Sequence, residues 1–417
     1  MSIDADVIVV GGGASGLFAA VLCAKENLKV IVIEQKDRIG KKILATGNGK
    51  CNFTNRKLEK GCYRGDNKDF PEIALSTFGP EEAISYWEEL GIYPKDKNGY
   101  LYPYSEQAAS VLDVLRMELK RQKVSVVCEE KVQNVEKKEN FFRVKTDKNS
   151  YSSKYVIIAT GGQASPKLGS DGSGYKLAKK FGHSVVKPVP ALIGLKCKED
   201  YYKAISGVRT EAEVSVYINE KEKFVAKDKG ELQLTNYGVS GIPVFQISRF
   251  AAQALEEGKK VWVQIDFMPS EGMKELEKML RVRFRDKQKT AEEALVGLFN
   301  KKLIQMFLKQ SGIKLDIVAC KITEKQITQL AGKIKAMFTE VVNTNGFEQA
   351  QVTAGGVSTW EIAPDTMESI LVSGLYFTGE IMDVDGICGG YNLQWCWSSA
   401  FLAAKAISKT DRSLKTC

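Results

Sequence analysis

Val7-Ile8-Val9-Val10-Gly11-Gly12-Gly13-Ala14-Ser15-Gly16 is a run of four β-branched residues followed at once by a glycine-rich turn. The apolar run reads as a buried parallel strand. Leu17 to Lys25, rich in Ala and Leu, reads as a helix, and Lys29-Val30-Ile31-Val32-Ile33 as a second strand ending at Glu34. Strand, glycines, helix, strand and terminal acid form a dinucleotide-binding fingerprint in its required context. Gly11 serves the tight turn, Gly13 lets the backbone approach a pyrophosphate, and Gly16 lets the helix pack on the strand. The free N–H groups of the first turn, at Ala14 and Ser15, favour an anion by about 0.3–1 kcal/mol. Glu34, with Gln35 beside it, lies eighteen residues after Gly16 and suits ribose hydroxyls. It would repel a 2′-phosphate, so FAD or NAD fits better than NADP.

Two later segments choose between these. Strands expected at Lys131 to Glu136, which holds Val132, and Phe141 to Thr146 precede the apolar run Tyr155 to Ile158 and the small-residue turn Ala159-Thr160-Gly161-Gly162. Near the C-terminus, Leu375-Tyr376-Phe377-Thr378 leads into Gly379-Glu380, then Asp383, Gly389-Gly390-Tyr391-Asn392 and a helical pattern from Leu393 to Ile407. A β-meander returning to an Ala-Thr-Gly strand, with a distal Gly-acid turn and glycines opening a helix, resembles the FAD domains of the glutathione-reductase and fumarate-reductase superfamily. That resemblance implies FAD. It places Glu380 toward the ribityl or pyrophosphate side, and the start of the last helix against the flavin pyrimidine.

A narrower resemblance rests on Lys41-Lys42-Ile43-Leu44-Ala45-Thr46-Gly47-Asn48-Gly49-Lys50-Cys51-Asn52, with Gly169 to Tyr175, Gly230-Glu231, Thr235 to Gly241 and Thr353-Ala354-Gly355-Gly356-Val357. Across nearly its whole length the chain resembles the bacterial NAD(P)/FAD-dependent oxidoreductases of the BaiN/YhiN type, which include 3-dehydro-bile-acid Δ4,6-reductases and aminoacetone oxidases. The resemblance implies that Gly47, Asn48, Gly49, Lys50, Cys51 and Asn52 form a loop against FAD. Cys51 has no adjacent partner cysteine and reads as a small packed residue; Lys41 and Lys42 read equally as solvated charges. The chain departs from the family pattern at Asn236, in a segment where many members carry a histidine.

The fold class expected is α/β: a Rossmann-like, glutathione-reductase-like FAD-binding domain at 1–190 and 345–417, with an inserted β-rich domain at 191–344. Pro188 and Pro190 mark the exit. Glu211 to Ile218 alternates as a half-buried strand, a helix is expected from about Pro243 to Leu255, and a helical subdomain spans about 270–335.

Nine cysteines with no CxxC spacing, and one histidine, exclude a disulfide framework, a zinc site and a Ser-His-Asp triad. No metal is expected. The acidic start, Met1 to Asp6, and a glycine-broken apolar run read as neither signal peptide nor membrane span, which points to the cytoplasm. His183 follows Gly182 and reads as a charge at a helix C-terminus. Gly169 to Gly174 has the wrong spacing for a second fingerprint and reads as a Ser-capped helix start, so NADH would dock only transiently.

Three functions are weighed. The first is an NADH-dependent reductase of an activated C=C bond, such as a 3-oxo-Δ4 steroid or bile acid. There Tyr391 and Tyr237 are candidate proton donors and Arg209 or Lys42 candidate partners for a carboxylate. The second is a flavin oxidase of a small amine. The third is a tRNA-modifying flavoprotein, with the basic stretch Lys274 to Lys335 (Arg281, Arg283, Arg285, Lys287, Lys289) as its footprint. The net charge of +9 permits but does not require nucleic acid. Only Phe284, Phe299, Phe307 and Phe338 interleave that stretch, so nucleic acid ranks last as a partner.

Overall fold

β1 (Ala5–Val10), α1 (Ala14–Lys25) and β2 (Val30–Ile33) open the chain as a βαβ unit. The computed structural model describes residues 3–416; Met1, Ser2 and Cys417, which enter the terminal and cysteine readings above, lie outside the described residues. β1 pairs in parallel with β2, register Val7 to Val30 through Val10 to Ile33. β3 (Ser125–Val127) adds beyond β2. β4 (Val132–Lys137), β5 (Phe142–Thr146) and β6 (Ser150–Ile158) form an antiparallel meander. The far half of β6 returns parallel to β1 and carries β7 (Leu375–Phe377) on its other edge. The seven-stranded sheet runs β3-β2-β1-β6-β5-β4, with β7 off β6. This is a Rossmann-like mixed α/β sheet with additional β-rich elements.

Its central strands are apolar on both faces because both are covered: Val7, Ile8, Val9, Val32, Ile157 and Ile158 are all buried. Each such side chain contributes roughly 1.5–3 kcal/mol. Nine of the twelve residues of α1 are buried. α1 lies under the sheet and against the last helix, α2 (Tyr391–Thr416), where the Phe18 and Trp397 rings stand 5.2 Å apart. α2 begins two residues earlier and runs nine residues further than its apolar pattern. Gly389 and Gly390, both at positive φ, fix its start. Pro188 and Pro190 lie in a strand, Val185–Ala191, that pairs with Val352–Val357 and runs up to the end of the first unit's opening segment.

The chain divides into two compact units, 1–190 with 347–417, and 191–346. The second unit contains a closed barrel of strands Leu195–Cys197, Gly238–Gly241, Phe224–Thr235, Arg209–Ile218, Val261–Asp266 and Met337–Thr344, in that order. Helices Ile242–Glu256, Met273–Arg283, Ala291–Leu295, Lys301–Gln310 and Glu324–Lys335 share one apolar core with it, from Leu195 and Val263 to Leu303 and Ile334. Among the described residues no helix is long and apolar enough to cross a membrane.

Candidate functional site

The turn after β1 is built by close approach. Gly11 has φ +109, and a Cβ there would meet the Ala159 carbonyl oxygen at 2.5 Å. A Cβ on Gly16 would stand 2.0 Å from the Gly11 carbonyl oxygen, so strand end and helix start pass each other with no room for a side chain. Gly13 is different: nothing lies within 4 Å of a Cβ built there. It lines a cleft open to solvent.

That cleft joins residues from five distant parts of the first unit. Gly11, Gly13, Ala14, Ser15, Glu34, Gln35, Lys42, Val132, Ala159, Thr160, Gly161, Glu380, Asn392 and Leu393 line it. So do Arg38, Thr46, Glu130, Ser170, Gln351 and Cys396, which sequence reasoning missed. Thr46, Ser170 and Cys396 lie inside stretches quoted above and Arg38 just ahead of one; Glu130 and Gln351 become neighbours only through the meander and the strand at 352–357. Gly16 packs under the turn. Gly162 abuts Thr353, whose hydroxyl accepts N–H bonds from Gln163 (2.8 Å) and Ala164 (3.0 Å). Asp383 is buried, and its carboxylate accepts the Asp66 N–H at 2.9 Å.

Charges in the cleft are arranged in pairs. Glu34 accepts N–H bonds from Gly12 and Lys36, each at 2.8 Å, which points its carboxylate over the glycine turn. Burial raises its pKa above the ordinary value, against the pull of those N–H groups. Lys42 is no solvated charge: its amine sits 2.7 Å from Glu380, whose other oxygen accepts the Thr353 N–H at 2.7 Å. Of the other lining cations, Lys41 is held by Asp37 and Lys131 by Asp171 (2.9 Å), both just outside the cleft.

The N- and C-terminal segments are tied together at the site. The Ser15 hydroxyl donates to the Thr378 carbonyl (3.2 Å), Gly379 N–H donates to Ser399 (2.9 Å), and Trp395 Nε1 donates to the Gly379 carbonyl (3.2 Å). Trp397 Nε1 donates to the Phe53 carbonyl at 2.8 Å and steadies the segment 46–55. Within that segment Gly47, Asn48, Gly49 and Cys51 all adopt positive φ. Of residues 46–52, among those described, Thr46 alone lines the cleft. Cys51 is buried, and burial pushes its thiol up to about 12, so no thiolate forms there at neutral pH. Asn52 Oδ1 is buried without a donor and faces Gly390, just ahead of the α2 start. Open space over Gly13 and an acid over the turn together fit a dinucleotide cofactor.

The catalytic candidates do not gather here. Tyr391 donates its hydroxyl to the Lys57 carbonyl at 2.7 Å, and burial raises its pKa. Tyr237 belongs to the second unit, as does exposed Asn236. Arg209 is exposed and paired with Glu231 at 2.9 Å. His183 is a correction: it is buried, its Nε2 2.7 Å from the Ser369 hydroxyl and its Nδ1 3.2 Å from Glu361. Burial lowers its pKa despite Glu361, so it is a neutral core residue rather than a charged cap. The helix after Gly169 is another correction: no serine caps it, and Asp171 accepts the Ser173 N–H at 3.0 Å. In the basic stretch Arg281 is taken by Glu277 and Glu324, and Phe284 and Phe307 lie in the core. Among the described residues no cluster of His, Cys, Asp or Glu could hold a metal ion.

Comparison with known proteins agrees with this architecture. The chain is 44% identical to a 3-dehydro-bile acid delta(4,6)-reductase of Clostridium scindens, over 96% of this chain and 98% of that one. It is 33% identical to a ribosomal RNA dihydrouridine synthase of Haemophilus influenzae, over 98% of this chain and 100% of that one. An open-form flavocytochrome c3 fumarate reductase shares the fold, with TM-score 0.50 and 16% identity over 98% of this chain and 78% of that one. Residues 5–406 match the HI0933-like protein Rossmann domain, and the chain belongs to that family.

Proposed function

We propose that this chain is an FAD-dependent oxidoreductase that reduces a carbon–carbon double bond conjugated with a carbonyl, as in 3-oxo-Δ4 or Δ4,6 bile acids and steroids, with NADH as electron donor. The observation that carries this is the cleft, which runs from Glu34 and the glycine turn to the start of α2 at Asn392 and Leu393. The identity with the bile acid reductase over nearly both full lengths supports the substrate class.

A bound flavin supplies hydride acceptance from a donor and hydride delivery to an acceptor. The chain's own residues do the rest. Glu34 and Gln35 would take the ribose and adenine end. The open backbone at Gly13 and the N–H groups at the start of α1 would take the diphosphate. The Lys42–Glu380 pair would set the charge beside the ribityl chain, and the N-terminal turn of α2 would favour negative charge at the ring. Tyr391 donates to the Lys57 carbonyl, which counts against it as the proton donor.

A second reading has one observation in its favour, the 33% identity with the ribosomal RNA dihydrouridine synthase. The chemistry is related: dihydrouridine is uridine saturated at a double bond conjugated with a carbonyl. The test is to incubate the holoenzyme and NADH with a 3-oxo-Δ4 bile acid, and separately with uridine-containing ribosomal RNA. Mass spectrometry should show the bile acid gaining two hydrogens. Gain by the RNA alone would replace the substrate class, and gain by neither would overturn the reductase.

A further inference from the structure

Beside the cleft stands a hairpin dense in tyrosine and lysine, with strands Pro94–Lys97 and Tyr100–Pro103. It is seated on the two segments that close one end of the cleft. Tyr100 and Leu101 pair with Asn55 and Thr54, and the Phe53 N–H donates to the Leu101 carbonyl at 2.9 Å. Tyr102 lies against Gly47, and Tyr100 against Gly389. Those segments supply Thr46, Asn392 and Leu393 to the cleft wall.

The outer side of the hairpin does not look built for folding. Tyr93 and Tyr104 are 70% and 62% exposed, with ring centroids 5.5 Å apart. Lys95 and Lys97 stand 5.5 and 5.4 Å from the Tyr104 and Tyr102 ring centroids. Three amines converge on one carboxylate: Lys95 at 2.5 Å, Lys97 at 2.9 Å and Lys50 at 3.2 Å from Glu106. Glu106 holds a positive φ of 52 to meet them. Arg56 stands between Asp96 (2.8 Å) and Glu81 (3.0 Å), so four cations meet three carboxylates and the cluster keeps one net positive charge next to exposed rings. Exposed ion pairs contribute little to stability, whereas an aromatic face edged by a net positive cluster offers a binding surface.

We infer that this hairpin, with Lys50 and Glu106, is the specificity surface for the substrate of the reaction proposed above: Lys50, Lys95 and Lys97 take the substrate's carboxylate, and Tyr93 and Tyr104 its flat apolar body. Glu106 holds that carboxylate's place until the substrate arrives. The inference rests on the reductase reading and deepens it: the preferred substrates are rigid polycyclic acids, above neutral enones of the same shape.

The test compares KM for a 3-oxo-Δ4 bile acid with KM for its methyl ester, using the holoenzyme. The wild type should prefer the acid, and high salt should shrink that preference. Lys95→Gln with Lys97→Gln should cut the acid-over-ester preference by roughly tenfold, the size of two exposed charge contacts, and Lys→Arg at both should restore it. Glu106→Gln should act in the opposite direction and lower KM for the acid severalfold. Equal effects on acid and ester, or a weaker acid in Glu106→Gln, would overturn the surface while leaving the reductase intact. If neither compound is reduced, the reductase reading fails, and equilibrium dialysis of the acid against oxidised holoenzyme decides the surface by itself. Binding that the double lysine variant loses and Glu106→Gln strengthens supports it. No binding, or a uridine-containing RNA that binds here and that the acid cannot displace, overturns it.

Discussion

Gly13 and Gly16 sit three residues apart in one motif, yet the structure gives them opposite duties. Gly13→Ala has free space and an extended backbone (φ −87, ψ −166). It should fold with an unchanged urea midpoint and lose FAD affinity by tenfold or more, on the order of 1.4 kcal/mol. Gly16→Ala drives a Cβ to 2.0 Å from backbone and should cost about 1–3 kcal/mol of stability. Urea melts and FAD titration of both variants check this; equal effects would contradict it. The crowding at Gly16 and the open space at Gly13 were legible in the sequence because the motif's backbone geometry is local. His183 was not legible: its partners Glu361 and Ser369 lie almost two hundred residues away, and they turn an apparent cap into a neutral core residue. As the chain's one histidine, it should give a single imidazole titration by NMR, with a midpoint below its ordinary 6.5. The sign follows from burial of the neutral ring. Its contribution to stability is full above about 6.5 and is lost as pH falls through the lowered folded value. A midpoint at or above 6.5 would contradict the buried neutral ring.

The segment 46–55 owes its shape to α2 as much as to its own residues. Trp397→Phe removes the 2.8 Å bond to the Phe53 carbonyl and leaves that buried acceptor bare. The loss should be about 1–3 kcal/mol in the thermal or urea melt, with a parallel drop in FAD affinity because the same bond steadies the loop. A stability loss with FAD affinity unchanged would separate the loop from the cofactor site. The sequence showed this segment only by family resemblance: four of its residues between 47 and 51 adopt positive φ, and one of them, Cys51, carries a side chain that does not advertise it. The strands of the βαβ unit were legible because an apolar run buried on both faces can satisfy few other environments. Pro188 and Pro190 stand where the first unit gives way to the second, inside a strand that pairs with Val352–Val357.

Across the whole molecule, the insertion of a second unit into a split cofactor domain followed from the distance between the glycine turn and Gly379-Glu380. Closure of the second unit into a barrel was not legible, since the closing pair joins Leu195–Cys197 to Met337–Thr344 across the full insert. That unit has its own apolar core. Residues 191–346 expressed alone should therefore give a cooperative thermal transition by circular dichroism; a gradual melt would show that the core depends on the rest of the chain. The cofactor cleft is the feature on which the functional reading stands. The decisive measurement is the visible spectrum of the purified protein under argon, before and after NADH. Flavin bands that bleach on addition of NADH and return with a 3-oxo-Δ4 bile acid are the expected result. Bands that NADH leaves unchanged would remove NADH as donor and favour an amine oxidase, and no flavin even after reconstitution with FAD would contradict the cofactor assignment itself.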